Sequence, residues 1–101
     1  VLMLAAPPAL FLSLDSLERS RYEASTESGV VAGFAEYRDI GGVRVFRHTE
    51  VDDAFEGQGI GSTLARGALE DVRERGMRIR VKCPFIRKFV EEHAEYAELQ
   101  S

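Results

Sequence analysis

The chain has 101 residues, 30% of them charged, with a net charge of −4. That length fits one domain with a single modest core, and the acidic balance gives no general attraction to nucleic acid, although basic residues gather between Arg73 and Lys88. A lone cysteine excludes an internal disulfide and cannot build a metal site, the two histidines lack ligand spacing, and the usage suits a reducing cytoplasm with no metal.

Residues 1–16 read as an apolar leader that is expected to be poorly ordered, ahead of a single domain over 17–101. The leader is too short to span a bilayer and has no basic start, so no membrane contact is expected. Residues 21–26 read as a strand and Glu27-Ser28-Gly29 as a turn. Residues 30–37 alternate as a second strand, and a glycine-rich turn follows over 38–42. Residues 43–51 form the longest strand pattern, and strict alternation puts Phe46, His48 and Glu50 on one face. Three strands with short turns make an antiparallel meander.

From about Gln58 the period turns helical. Leu64, Ala65, Ala68, Leu69 and Val72 fall on one stripe, with Arg66, Glu70, Asp71, Arg73 and Glu74 opposite. Gly67 inside this helix costs about 1 kcal/mol relative to alanine, and Gly76 is a natural stop. Residues 77–82 alternate again, and a crossover of this length makes that strand parallel to the third. Cys83-Pro84 opens a second helix with Phe85, Ile86, Phe89 and Val90 as its apolar stripe; past Tyr96 the tail is expected to fray. The expected fold class is α/β with a mixed sheet: an antiparallel β-meander, then a helix, a parallel strand and a C-terminal helix.

Between the meander and the first helix lies Phe55-Glu56-Gly57-Gln58-Gly59-Ile60-Gly61-Ser62-Thr63-Leu64. Glycines let several backbone N–H groups turn toward one point, and a helix start behind them favours an anion such as phosphate. Two familiar phosphate loops fail here. A Walker loop needs a lysine where Ser62 stands, and a dinucleotide fingerprint needs glycine where Ser62 or Leu64 stands.

The ordered set of His48-Thr49-Glu50-Val51, Glu56-Gly57-Gln58-Gly59-Ile60-Gly61 and Cys83-Pro84-Phe85 resembles the small single-domain branch of the GNAT superfamily, the GCN5-related N-acetyltransferases. Glu56 stands where that family's acetyl-CoA motif has Arg or Gln; Val81, Lys82 and Ala94 also depart from the branch's pattern. The resemblance covers roughly residues 21–99. It implies a compact GNAT-like fold and transfer of an acetyl group from acetyl-CoA to an amine by direct attack on the thioester. It implies that the backbone of Thr49, Glu50 and Val51 binds the pantetheine arm as an added strand. Glu56, Gly57, Gln58, Gly59, Ile60, Gly61 and Ser62 would form the pyrophosphate cradle. The third strand and the 77–82 strand would splay around the thioester, with Arg66, Arg73 or Lys88 meeting the 3′-phosphate. The acceptor is left open among small molecules, peptides and proteins, and the assembly between monomer and homodimer. The contrasting readings are a non-catalytic CoA-binding or interaction module and a carrier that self-acetylates on Cys83.

Four side chains carry candidate chemistry. His48 beside Glu50 suits a general base, or an ordinary pair on a sheet surface. Cys83 sits between a strand end and a helix start, where the dipole favours an anion; it is equally a small apolar filler. Tyr96 suits a general acid but reads better as a packing residue, and His93 edges the core.

Overall fold

The computed structural model describes residues 12–16, 19–26 and 28–101. Its strands are β1 (Leu12–Ser16), β2 (Arg21–Ser25), β3 (Val31–Ile40), β4 (Val43–Val51) and β5 (Arg78–Val81). Helices α1 (Ile60–Arg75) and α2 (Pro84–Glu92) follow β4 and β5, and 3-10 turns cover Asp53–Phe55 and Ala94–Leu99. The five strands lie in chain order, antiparallel except for the parallel pair of β4 with β5. This is the mixed α/β arrangement expected from the alternation of strand and helix periods.

Three expectations about where elements begin and end are corrected. First, Leu12–Ser16, assigned to the leader, is a sheet strand: it pairs with β2 from Leu12↔Ser25 to Ser16↔Arg21 and packs against α1. An edge strand takes its stability from the partner edge it covers, which its own composition does not reveal. Residues 1–11 of the leader lie outside the described residues. Second, the turn after β3 is only Gly41-Gly42, at φ 55° and 80°. Two successive left-handed residues close a hairpin directly, so Ile40 still pairs with Val43. Third, the C-terminal segment is packed. Tyr96 is fully buried, and the Ser101 N–H donates to the Ile79 carbonyl at 2.9 Å along the outer side of β5.

The register of β3 on β4 shifts between Tyr37↔Phe46 and Glu36↔His48, leaving Arg47 as an extra residue in β4. A bulge of this kind reverses which face later residues occupy. Phe46 is therefore buried beside Tyr22 and Tyr37 under the helices, whereas His48 meets Phe34 edge-on at 6.2 Å on the other face. The expectation that Phe46, His48 and Glu50 share one face is overturned by that one residue.

A single core joins the helix-covered face of the sheet to both helices. Tyr22, Phe46, Ile60, Leu64, Leu69, Ile79, Ile86 and Tyr96 are all essentially inaccessible. α1 lies so close to β3 that a methyl on Gly33 would stand 2.7 Å from the Glu50 carbonyl, 3.1 Å from Ile60 Cγ2 and 3.2 Å from Leu64 Cδ1. Two of these neighbours are core side chains and the third is backbone, so none can swing away. Gly33→Ala is expected to cost about 1–3 kcal/mol by overpacking, read as a lower urea midpoint with an unchanged slope. An unaltered midpoint would mean the sheet and α1 separate more easily than this packing allows.

At the end of the sheet where β4 begins, one charged side chain is enclosed. Arg44 is 3% exposed and donates to both carboxylate oxygens of Asp39, at 2.8 and 2.9 Å, and to the Tyr22 hydroxyl at 2.6 Å. Its guanidinium lies 3.9 Å from the Tyr37 ring centroid. The Tyr22 hydroxyl in turn donates to Asp71 of α1, which also accepts from Arg75 at 2.8 Å. The cluster ties the β3–β4 hairpin to the far end of α1. Among the described residues, no helix is long and apolar enough to cross a membrane.

Candidate functional site

The opposite end of β4 comes open. β4 and β5 pair from Val43↔Arg78 to Phe46↔Val81 and no further. The Phe46 carbonyl accepts both the Lys82 N–H at 2.8 Å and the Cys83 N–H at 3.3 Å, so β5 ends there and turns into α2 while β4 runs on to Val51. On the β3 side, the Asp52 N–H donates to the Ala32 carbonyl at 2.8 Å across the Gly33↔Val51 pair. In an antiparallel ladder that geometry makes Gly33↔Val51 a pair that exchanges no hydrogen bonds itself. The N–H and C=O groups of Val51, and of Thr49 two residues earlier, therefore turn away from β3 into the gap. Among the described residues no strand covers that edge.

The glycine loop closes the top of the gap. Gly57 and Gly59 sit at φ 81° and 77°, and Gly59 caps α1 with no side-chain hydrogen bond. The Thr63 N–H donates to the Gly59 carbonyl at 3.0 Å, so the preceding N–H groups of Ile60, Gly61 and Ser62 have no helical acceptor. The first turn also holds no acidic residue. These donors edge a cleft of about 270 Å³ lined by Val51, Phe55, Gly57, Gly61, Ser62 and Phe85 among others. Glu56 also lines it, but its N–H is directed to the Asp53 carbonyl at 3.3 Å, and Gln58 does not reach the cleft wall.

Phe85 corrects the sequence reading. Expected on the buried stripe of α2, it is 43% exposed and walls the cleft. The buried residues of α2 are Ile86, Phe89 and Val90, a three–four repeat from which Phe85 is rotated away. A methyl on Gly61 would stand 2.7 Å from the tip of its ring, so the ring lies directly against the glycine backbone. Phe85 lies four residues before Phe89, so the helical spacing alone kept it on the stripe and gave no signal of its exposure.

The candidate catalytic side chains fall on two faces. His48 Nε2 and the Glu50 carboxylate are 2.8 Å apart on the open face, both more than half exposed. Cys83 is 3% exposed, and its Sγ lies 3.2 Å from the Thr49 hydroxyl at the vertex where the strands part. Among the described residues no hydrogen bond joins Cys83 to His48 or Glu50. The first pair can exchange protons with anything that approaches the open face; the enclosed sulfur borders the gap. The Tyr96 hydroxyl donates to Glu70 at 2.7 Å and accepts from Arg66 at 3.1 Å. Burial, reinforced by that carboxylate, holds its pKa above the usual phenol value. It is a packing residue. His93 stacks on Phe89 at 3.9 Å with Nδ1 2.7 Å from the Phe89 carbonyl.

Residues 21–99 match the family described as GCN5-related N-acetyl-transferase. Over 47 residues the chain is 49% identical to Protein NATD1 of Bos taurus and 43% identical to Protein NATD1 of Homo sapiens, 46% of this chain and 42% of each relative. The chain thus spans less than half the length of the curated relatives it matches. A GCN5-like candidate N-acetyltransferase from Staphylococcus aureus, solved by NMR, shares the fold with a TM-score of 0.64 at 23% identity, over 81% of either chain. A GNAT-family acetyltransferase from Staphylococcus aureus Mu50 superposes with a TM-score of 0.54 at 15% identity, over 83% of this chain and 54% of that one.

Proposed function

The chain belongs to the GCN5-related N-acetyltransferase family, and from that premise we propose that it moves an acetyl group from acetyl-CoA to an amine. The observation behind the proposal is the meeting of two backbone surfaces at one cleft. The outward groups of Thr49 and Val51 offer a strand edge to an extended arm, and the free N–H groups of Ile60, Gly61 and Ser62 offer a phosphate site. Gly61, Ser62 and Phe85 wall the second surface; Thr49 and Cys83 border the inner end of the first.

Acetyl-CoA would supply an activated acetyl thioester. The chain's own part is to align it along β4 and to ready the amine. An amine arrives at neutral pH as an ammonium and must lose a proton before its lone pair can attack. His48, with Glu50 at 2.8 Å to stabilise the imidazolium that forms, takes that proton on the open face. Direct attack asks for no enzyme nucleophile, so Cys83 shapes the gap with Thr49.

His48→Gln is expected to lower kcat about 10²–10⁴-fold while leaving the affinity for CoA as it was. Cys83→Ser is expected to retain turnover. Steady-state release of free CoA thiol in the presence of an amine, alongside calorimetric CoA binding, separates the two effects. Loss of turnover only in Cys83→Ser would move the chemistry to the sulfur; full activity in His48→Gln would reduce His48 and Glu50 to a surface pair.

A further inference from the structure

The basic residues that gather between Arg73 and Lys88 in the sequence separate in the fold. Arg73 and Arg75 stay on α1, paired with Glu70 and Asp71. Arg78 and Arg80 alternate with the core residue Ile79, so they stand on the face of the sheet that carries no helix. The register lines them up there with other strands. Arg38, Val45 and Arg80 form one row across β3, β4 and β5, and Ile40, Val43 and Arg78 form the next. Arg47 and Lys82, both exposed, come directly after the last β4–β5 pair, Phe46↔Val81.

The cations of this half of the open face have no carboxylate partner among the described residues. Arg38, Arg47 and Lys82 make no ion pair or side-chain hydrogen bond there. Arg78 donates to the Glu98 carbonyl and Arg80 to the Ser101 hydroxyl at 3.5 Å, neutral oxygens that leave both charges unbalanced. Val45 is 5% exposed without belonging to the core cluster, so the arginine stems on either side of it are its shelter. Ile40 beside them is 56% exposed. His48, three residues beyond Val45, begins an acidic half of the same face: Glu36 is its cross-strand partner and the Glu50 carboxylate is 2.8 Å from it.

We propose that the basic half of the open face docks an acidic polypeptide and, resting on the acetyl-transfer reading above, that this polypeptide presents its amine to His48. The spacing sets the recognition rule. At about 3.3 Å per residue, the Arg38–Val45–Arg80 row lies roughly 10 Å from His48, so carboxylates about two to four residues from the amine reach the arginines. The ammonium meets Glu36 and Glu50 at one end while the carboxylates meet Arg38 and Arg80 at the other. A polypeptide fits this face better than a nucleic acid does. Ile40, Val43 and Val45 interleave apolar contact with the cations, and Glu36 and Glu50 repel a phosphate backbone that runs on. The net charge of −4 repels a long polyanion as well.

Fluorescence anisotropy of peptides labelled at the C-terminus tests the docking, and steady-state transfer from acetyl-CoA tests the role. The peptides share a free N-terminus and one lysine and differ in carrying Glu or Gln around them. The whole chain is expected to bind the Glu peptide about tenfold more tightly at low salt, a preference that shrinks as salt rises. In transfer the same preference should appear in KM for the peptide, with kcat unchanged. Arg38→Gln combined with Arg80→Gln should bring both ratios close to one, whereas Arg19→Gln, which removes an exposed charge beside β2, should leave them intact. Arg38 and Arg80 are exposed and glutamine keeps part of each stem over Val45, so the double substitution does not endanger folding. Equal affinity for the two peptides overturns the proposal, as does a preference that survives the double substitution. Tighter binding of a short duplex DNA at the same salt would give the face to nucleic acid, and a dimer that the double substitution dissociates would give it to a second copy; either overturns the proposal. Docking of the Glu peptide with no thiol release from any acceptor overturns the acetyl-transfer reading and the acceptor role, and upholds the docking surface.

Discussion

Gly59→Val is expected to abolish the thermal stabilisation that CoA confers, while the domain without ligand still folds. In the wild type, ligand at ~100 times its dissociation constant adds about 2.7 kcal/mol, on the order of 10 °C in a domain of this size. Gly59 sits at φ 77° and ψ 19°, and a Cβ there would meet nothing within 4 Å. The cost of valine is therefore conformational: a β-branched residue in the left-handed region pays ~1–2 kcal/mol or more. The chain relieves that cost by rotating the backbone, which swings the Ile60 and Gly61 N–H groups off their common point. Gly59→Ala should show a weaker form of the same loss. Melting curves with CoA, ATP and NAD read the outcome. A full CoA shift in Gly59→Val would detach the glycine loop from ligand binding; stabilisation by ATP or NAD but not CoA would assign the loop to a different ligand.

Arg44→Met should produce the larger loss in the protein without ligand. Removing one partner of a buried pair costs about 3–5 kcal/mol. Here the Asp39 carboxylate is 45% exposed and can rehydrate, so about 2–4 kcal/mol is expected. Tyr22 keeps its bond to Asp71, which softens the change further. The pair also predicts an acid signature. Hydrogen bonds from Arg44 hold the Asp39 carboxyl below its ordinary pKa, partly offset by burial. A depressed carboxylate contributes stability that is present above the unfolded value of about 3.9 and is lost as pH falls through the lower folded value. The gap between wild type and Arg44→Met should therefore narrow below about pH 4. Urea midpoints at pH 7 and pH 3 measure it, and equal stability at pH 7 would show that the cluster holds nothing together.

Much of this arrangement is legible in the chain because it is periodic. Alternation over β2, β3 and β4, the three–four stripe of α1, and the glycines between them specify a meander, a crossover and a cradle. Alternation along β4 also places Thr49 and Val51 together, as the ladder has them. What was not legible depends on distant partners or on single insertions. β1 exists because the β2 edge is there to receive it. Arg47 is an ordinary residue, and nothing local marks it as the one that sends His48 to the face opposite Phe46. The tail past Tyr96 is held by distant partners, with Leu99 in the core and the Ser101 N–H on the Ile79 carbonyl of β5. Phe85 was legible in kind, an aromatic at a helix start, but not in direction.

The acceptor side is tested most directly by turnover. Acetyl-CoA would be offered with a polyamine, a lysine-bearing peptide and a peptide with a free N-terminus, while free CoA thiol and the mass of each acceptor are followed. The account predicts many equivalents of thiol per protein chain, released only with an amine and matched one for one by acetylated amine. A folded protein that CoA stabilises but that releases no thiol above background with any acceptor would contradict it, leaving a binding module. A single equivalent that stays on Cys83 would contradict it as well.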